Sequence, residues 1–554
     1  MKDFKTYITI ALMGLSTTSC ESFLDTAPQD ALSPSTFWKS EKDVKSAVTA
    51  CYSAWYNPHT GSSDIFFSDC TSDIGYNHTG SSNYKYVGNG SLSQAKTIKY
   101  YDYSTIRICT TFLENVESLT FLDETTKKDY MAQARTIRAW RYFQMNFWYG
   151  GVPLITKFAE TATEAQVARN TEAEVKEYVY KELDAAIPDL AKKPAERGRI
   201  ARGTALAIKM RASLYWGDYA QALDAANKIK ELGIYSLDSD YLKMFSMSGQ
   251  DSKEIICAMQ HVATTYEFGN AIRLFNNQDG GWASFVPTQN LIDMFEMANG
   301  KSITEKGSGY DPVHPFANRD PRLYKTVVYP GMDWVGSNGK TRVFNTLDKN
   351  IDGKKNADYY DAANNSSKSG MIWAKYTTPL SQYSPALDNE GLCPIVFRYA
   401  EVLLTIAEAD VELNKNLTEA LDIIDMLRKR GGQIPVDRAR YNTQDAIREL
   451  VRRERCIELA GEGLRRADIV RWKDKSGKMV AETVLNGTLY HMIGTIDYKE
   501  TDPTRRAIIT LPTSSNQAAR KLEDRVFKPF QRYLPIPQAE LDRNSQLVQN
   551  EGYK

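Results

Sequence analysis

The chain has 554 residues, and its 69 Lys and Arg balance 69 Asp and Glu, so the formal net charge is zero. The length exceeds one ordinary domain, while 42% hydrophobic and 25% charged residues indicate a globular rather than a disordered chain. Neutrality argues against a nucleic-acid-binding protein and against a polybasic membrane-surface protein, because both need a basic surplus.

The first twenty residues, MKDFKTYITIALMGLSTTSC, have the order of an export signal. Two lysines precede an apolar run at 7–15, which is too short to span a bilayer, and small residues then lead to Cys20. This order resembles a bacterial lipoprotein signal, in which residues 1–19 are removed and the Cys20 thiol takes a diacylglycerol. The alternative is an ordinary secretory signal followed by an incidental cysteine.

Helical periodicity of apolar residues predicts helices in the first and last thirds of the chain. The predicted helical segments are 34–56, 105–119, 125–148, 171–190, 204–216, 219–232, 401–432 and 443–473. The pair 204–216 and 219–232, joined by Gly217-Asp218, resembles a tetratricopeptide unit, in which Ala212 and Ala222 allow close helix packing. One such unit cannot bury its apolar face alone, so we expect several helix pairs to stack.

Two segments lack this periodicity. Residues 62–103 are rich in Ser, Gly, Asn, Asp and Tyr and are predicted to be a long loop. Residues 236–395 are similar, with a helical pattern only at 288–297, and indicate a large insertion of loops and short strands. We therefore divide the chain into a signal (1–19), a helical part (20–235), a loop-rich insertion (236–395) and a C-terminal helical part with its tail (396–554), together forming one compound domain.

The cysteine and histidine spacing points to no metal site. Six cysteines follow Cys20, none of them forms a CxxC pair, and the five histidines are scattered along the chain. We expect neither a metal ion nor a cofactor. For the six cysteines, disulfides, whose pairing the sequence does not assign, and buried inert thiols both remain open.

Several motifs, in this order along the chain, resemble the SusD/RagB family. They are Cys20-Glu21 followed by FLD at 23–25, RYF at 141–143, YGGVPLI at 149–155, RDPR at 319–322, RYAEVLL at 398–404, RERCIELA at 453–460, RW at 471–472 and YLPIP at 533–537. The resemblance runs from Cys20 to Tyr553. It implies a mostly α, SusD-like fold in which tetratricopeptide-like helix pairs form a scaffold. It also implies a surface glycan-binding lipoprotein of the outer membrane that acts with a SusC-like TonB-dependent transporter in polysaccharide utilisation.

The helix at 443–473 carries charged residues at helical spacing. Glu458 and Glu462 could be paired carboxylates for glycoside hydrolysis. Alternatively, together with Arg453, Glu454 and Arg455, they could belong to an ion-pair network within the helix that docks it between its neighbours. We favour the ion-pair network, because two carboxyl groups on one helix face cannot lie on both sides of a sugar.

Sugar recognition calls for aromatic rings against the C–H face of a pyranose and for amides or carboxylates at its hydroxyls. Two predicted loops, 68–86 and 276–285, mix these residue types, and family members bind glycan mainly in these two regions. Trp282 follows Gly280-Gly281, so a flexible backbone presents a large ring. The candidate ligand residues are Asp73, Tyr76, Asn77, Asn83, Tyr84, Tyr86, Gln278, Asp279, Trp282 and Trp334. The alternative for each tyrosine is ordinary loop packing.

Three functions from different classes remain after this reasoning. The first is a non-catalytic glycan-binding lipoprotein that captures oligosaccharides and delivers them to the transporter. The second is a glycoside hydrolase with a loop pair of the Asp73/Asp279 type about 5–10 Å apart. The third is a tetratricopeptide adapter that binds peptides and has little use for an exposed Trp282.

Overall fold

The computed structural model of the chain describes residues 37–53, 55–57, 59, 64–78, 82–157, 159, 161, 163–363, 365–511 and 521–553. Cys20 and the predicted signal peptide, residues 1–19, lie outside the described residues. The α-helices in chain order are α1 (Glu41–Cys51), α2 (Asp64–Phe67), α3 (Tyr84–Asn89), α4 (Ser104–Val116), α5 (Glu124–Tyr149), α6 (Glu172–Ala186), α7 (Arg202–Tyr215), α8 (Tyr219–Glu231), α9 (Gln289–Met294), α10 (Arg322–Thr326), α11 (Tyr399–Glu412), α12 (Leu417–Gly431), α13 (Gln444–Leu459), α14 (Arg465–Arg471), α15 (Ala481–Val484) and α16 (Gln538–Arg543).

The strands of the described chain are two to five residues long and pair in two-stranded antiparallel sheets: β1 with β3, β2 with β10, β4 with β9, β5 with β6, β7 with β8, β11 with β14 and β12 with β13. Their bounds are β1 (Gly75–Asn77), β2 (Ile255–Ala258), β3 (Phe285–Pro287), β4 (Val327–Val328), β5 (Asp333–Val335), β6 (Thr341–Val343), β7 (Asn350–Ile351), β8 (Lys354–Lys355), β9 (Ile372–Trp373), β10 (Ile395–Arg398), β11 (Gly487–Tyr490), β12 (Gly494–Ile496), β13 (Ala507–Ile509) and β14 (Lys521–Arg525).

Local sequence signals set the ends of the long helices. The side chain of Asp123 accepts hydrogen bonds from the first backbone N–H groups of α5, and Thr171 forms a capping box with Glu174 at the start of α6. Helix α5 ends at Gly150, whose φ of 73° suits a residue without a Cβ. The end of α5 at Tyr149 agrees with the helical segment predicted at 125–148.

The long helices pack as a continuous array. Helix α4 contacts α5, which contacts α6; α7 packs on α6 and α8, and α11 on α8, α12 and α13. In the α7–α8 hairpin Gly217 has a φ of 75°, and both Ala212 and Ala222 are fully buried where the two helices meet. The predicted mostly α scaffold is confirmed, and this packing is consistent with tetratricopeptide-like repeats.

A network of buried charges fixes helix α13. Arg398, at the end of β10, donates hydrogen bonds to Glu458 (2.7 Å), to Glu254 (2.8 Å) and to Glu462 (2.6 Å), and all of these side chains are buried. Glu458 also accepts a hydrogen bond from Arg430 of α12. Buried carboxylates persist as charges only where cations and donors meet them, and here those cations come from other segments.

The predicted ion-pair network docks the helix between its neighbours as expected, but the prediction that its pairs form within the helix was wrong. Glu454 of α13 binds Arg322 and Arg428, Arg453 donates to Glu296, and Arg455 donates to Asp468. Because the charged face of α13 is covered by neighbouring elements, each side chain pairs across an interface. These contacts tie the insertion to the C-terminal helices.

The prediction that residues 62–103 form a long loop was also wrong. This segment contains α2, a 3₁₀ turn at Ser68–Thr71, β1 and α3, and most of residues 64–77 are buried. Phe66 and Phe67 pack against Phe285 of β3, with ring centroids 5.8 and 4.5 Å away. Most of the described aromatic residues of this segment thus belong to the core, which its polar composition concealed.

Candidate functional site

Strand pairing brings the two predicted ligand-binding segments together. Strand β1 runs antiparallel to β3 with Tyr76 opposite Val286 and Asn77 opposite Phe285. The Asn77 Nδ2 donates a 2.7 Å hydrogen bond to the backbone oxygen of Ser284. Parts of 68–86 and 276–285 therefore lie side by side, although most of their candidate side chains point into the core.

Trp282 is the exposed aromatic residue of these two segments, with 40% of its surface accessible, and Gln278 beside it is exposed as well. It follows Gly280, whose φ is 85°, and Gly281, where a Cβ would lie 2.2 Å from the backbone oxygen of Phe275. The Trp282 N–H donates to the backbone oxygen of Ile272 at 2.7 Å. A glycine turn that is fixed by backbone hydrogen bonds thus presents the indole ring to solvent.

Arg273 lies between Trp282 and the core. Its guanidinium carbon is 5.6 Å from the Trp282 ring centroid and 5.6 Å from that of Phe67, within the range of cation–π contact. Burial lowers the pKa of Arg273 below its ordinary value, although the side chain is partly exposed. Phe67 in turn stacks on Tyr84 at 5.4 Å. The exposed indole is therefore backed by a cation and by two further rings.

Asp279 organises the turn that precedes Trp282. Its carboxylate accepts hydrogen bonds from the Trp334 indole N–H (2.7 Å), from Arg342 (3.0 Å) and from the Ser337 backbone N–H (2.9 Å). Gln278 accepts from Arg342 at 3.1 Å. Trp334 is 5% exposed, so in this conformation it supports the turn and shows solvent little of its ring.

The polar candidates of the first segment have protein partners. Asp73 is buried and binds the Arg465 guanidinium of α14 through two hydrogen bonds of 2.9 Å. Asn83 donates to the backbone oxygen of Thr97 at 2.8 Å. A role for these two side chains in ligand contact stays a prediction, and their observed partners lie within the chain.

The tyrosine candidates are also covered. Tyr76 and Tyr84 are each 5% exposed, and the Tyr84 hydroxyl donates a hydrogen bond to Asp64. Tyr86 is partly exposed, with the Lys96 ammonium 5.2 Å from its ring centroid. Of these three rings, Tyr86 is the one with surface available to a ligand in this conformation.

Sequence reasoning missed a second exposed aromatic residue in the insertion. Tyr266 is 62% exposed and stacks on His261 with ring centroids 5.2 Å apart. Its hairpin continues to Phe268 and Ile272, whose N–H groups bind the backbone oxygens of Glu390 and Leu387. Because the backbone oxygen of Ile272 also accepts a hydrogen bond from the Trp282 N–H, one hydrogen-bonded segment carries both rings. In the sequence, the polar Thr264-Thr265 turn was the signal that could have indicated the exposure of Tyr266.

An open cavity of about 600 Å³ lies elsewhere, beside the first turns of α4. Tyr101, Tyr103, Arg107, Glu540 and Arg543 are among the residues that line it, and it includes none of the candidate ligand residues. Across the part of the chain that the structure describes, no group of three or more His, Cys, Asp or Glu is arranged to hold a metal ion. Within the same ranges, no helix is both long and apolar enough to cross a membrane.

Comparison with known sequences gives two matching family profiles. A profile described as "SusD family" matches residues 250–553, and one described as "Starch-binding associating with outer membrane" matches residues 22–213. A SusD-like protein of Formosa agariphila, P38, is 24% identical over 508 residues, covering 85% of this chain and 92% of its own length. A SusD-like protein of Bacteroides ovatus is 23% identical over 494 residues, covering 84% of this chain and 82% of its own.

Solved structures share the fold. A SusD-like carbohydrate binding protein from Bacteroides fragilis aligns with a TM-score of 0.78 and 26% identity over 93% of this chain and 100% of its own. A structure described as a laminarin binding SusD-like protein aligns with a TM-score of 0.65 and 21% identity over 93% of this chain and 100% of its own. Since the family profile alone covers more than half of the residues, this chain belongs to the SusD family.

Proposed function

We propose that this protein is a non-catalytic glycan-binding protein of the cell surface. The observation that carries the proposal is the exposed indole of Trp282, held on a fixed turn and backed by Arg273. An aromatic face of this kind suits the C–H face of a pyranose, while nearby donors and acceptors suit its hydroxyls. The printed descriptions of two structural relatives, carbohydrate binding and laminarin binding, support the same class of ligand.

The proposal includes attachment to the outer membrane and a transporter partner. Cys20 would carry a diacylglycerol after removal of residues 1–19, so that a lipid rather than a helix or a basic patch holds the protein at the membrane. A SusC-like TonB-dependent transporter would receive the captured oligosaccharide. Support comes from the order of the first twenty residues and from the profile that names outer-membrane association.

The carboxylates that a hydrolase would need are engaged in structural contacts. Asp73 is held by Arg465, and Asp279 by Trp334 and Arg342. A retaining or inverting glycosidase needs one carboxyl group that stays protonated near neutral pH and a second carboxylate across the scissile bond. Neither aspartate faces an open cleft, since both are buried.

The glutamates of α13 are unsuited to acid catalysis for a related reason. Burial raises the pKa of Glu458, but the positive charges of Arg430 and Arg398 outweigh this effect and lower the pKa to about 2. The pKa of Glu462 is also lowered, against the effect of burial, by Arg398 and Lys375. Both groups are ionised at neutral pH and bound to cations, which favours the binding function over the hydrolase.

Affinity electrophoresis on a panel of polysaccharides tests the proposal. We expect the wild type to be retarded by at least one glycan and Trp282→Ala to bind it at least ~10-fold more weakly, as for other interface aromatics. Phe121→Ala is the matched control, since Phe121 is a 48% exposed aromatic residue between α4 and α5. Retardation by no glycan, or release of sugar from the pure protein, would contradict the proposal.

A further inference from the structure

The arginine beside the exposed indole differs from the buried arginines that bind carboxylates. Arg211 binds Glu401, Arg398 binds three carboxylates and Arg465 binds Asp73. In contrast, the Arg273 guanidinium has no ion pair and no hydrogen bond to any residue that the structure describes. Its contacts are the rings of Phe67 and Trp282.

This environment holds the cation without using its donors. A guanidinium that lies over aromatic faces is positioned by its π surface, while its N–H groups remain at the edge. Arg273 is partly exposed, so these donors can meet solvent or a ligand. Partial desolvation without a counter-ion is unfavourable, and a bound anion would offset it.

Two of the nearby aspartates are already bound to other side chains. Asp279 accepts hydrogen bonds from Trp334 and Arg342, and Asp73 accepts them from Arg465. Burial raises the pKa of Glu390 to about 7, so this carboxyl group is only partly ionised at neutral pH. Arg273 is therefore a partly buried cation without a carboxylate partner among the described residues, although the whole chain is neutral.

We propose that Trp282 and Arg273 together form a subsite for a glycan that carries an anionic group, either a uronic acid carboxylate or a sulfate ester. The sugar ring stacks on the exposed indole, and the oxyanion accepts hydrogen bonds from the guanidinium edge, whose fork matches two oxygens. This inference rests on the proposed function and names the class of its substrate. Arg273 is the residue that makes this subsite bind charged glycans more tightly than neutral ones.

Matched pairs of polymers test the inference. Polygalacturonate, alginate and hyaluronan are compared with their carboxyl-reduced forms, and carrageenan with its desulfated form. Laminarin and starch serve as neutral glycans. Affinity electrophoresis at low and at 150 mM NaCl measures retention by the wild type. We expect at least one charged polymer to bind at least ~10-fold more tightly than its neutralised form, with binding that weakens as salt rises.

Three variants locate the effect. We expect Arg273→Gln to reduce binding of the charged polymer to the level of its neutralised form, and Arg273→Lys to retain part of the preference through its charge. Arg107→Gln is the charge-matched control, because Arg107 is exposed on α4 and lines the separate cavity. Equal melting temperatures of the variants and the wild type exclude a folding defect. If Arg273→Gln melts at a lower temperature, Arg273→Lys replaces it in the test. The ratio of its binding to the charged polymer and to the neutralised polymer should then lie below the wild-type ratio, and an unchanged ratio would contradict the inference.

The outcomes separate the inference from the function on which it rests. Loss of charged-polymer binding in Arg273→Gln but not in Arg107→Gln supports it, and the derivative that fails to bind shows whether a carboxylate or a sulfate is recognised. Retention of neutral glycans through Trp282, with no effect of Arg273→Gln, overturns the inference and leaves the proposed function standing. Retention of no polymer at all overturns both.

Discussion

Replacing Glu458 by glutamine tests whether the α13 carboxylates are structural. The side chain is fully buried and receives hydrogen bonds from Arg398 at 2.7 Å and from Arg430. Glutamine keeps the shape and an acceptor oxygen but removes the charge that these two cations face. The perturbation therefore isolates the electrostatic contribution of one residue in the network.

The pKa of Glu458 gives the size and the pH range of the effect. Its ordinary value is 4.5, and Arg430 and Arg398 lower it to about 2 despite burial. At roughly 1.4 kcal/mol for each pH unit, this difference corresponds to about 3 kcal/mol of folding free energy. Because the folded-state pKa is the lower one, the contribution is complete above pH 4.5 and is lost as the pH falls toward 2.

Urea unfolding followed by tryptophan fluorescence measures the difference between wild type and Glu458→Gln. We expect the wild type to be more stable by about 3 kcal/mol at pH 7 and the gap to close as the pH is lowered through 4 and 3. Glu419→Gln is the control, because Glu419 forms an exposed pair with Lys230 and should change stability by less than about 1 kcal/mol. A gap that stays constant between pH 7 and pH 3 would refute this reasoning.

Two further changes test the site and its support. Asp73→Asn leaves Arg465 buried without its carboxylate partner, so we expect a loss of about 3–5 kcal/mol in the free energy of unfolding. Unchanged stability together with weaker glycan retention would instead indicate that Asp73 contacts the ligand. Gly281→Ala places a Cβ 2.2 Å from the Phe275 backbone oxygen, so the turn must shift. We expect about 1–3 kcal/mol of destabilisation and weaker glycan retention, and unchanged retention would show that the position of Trp282 is not set by this turn.

The helices could be predicted from the sequence because their signals are local. The hairpin predicted at 204–216 and 219–232 is observed at Arg202–Tyr215 and Tyr219–Glu231. Apolar spacing, small residues at the contact and Gly217 at the corner lie within this one stretch of sequence. Trp282 was predicted to be exposed for the same reason, since the two preceding glycines indicate the turn that presents it.

The burial of the first candidate ligand-binding segment could not be predicted in this way, because it depends on distant residues. Asp73 meets Arg465, which is 392 positions away, and Asn77 meets Ser284. No pattern within 62–103 reveals these partners, so a polar composition was interpreted as a solvated loop. Arg273 was missed because the lack of a counter-ion within the described residues is a property of the assembled fold.

The pairing of β1 with β3 has a consequence for how this protein folds. Asn77 and Ser284 are 207 positions apart, so their contact closes a long loop, and distant contacts of this kind slow folding. At the usual speed of translation, residues 64–77 are made about 10–40 s before their partner strand. During that interval Phe66 and Phe67 lack the β3 aromatic ring that covers them in the native fold. Until β3 is made, this segment therefore exposes apolar surface that the native fold covers.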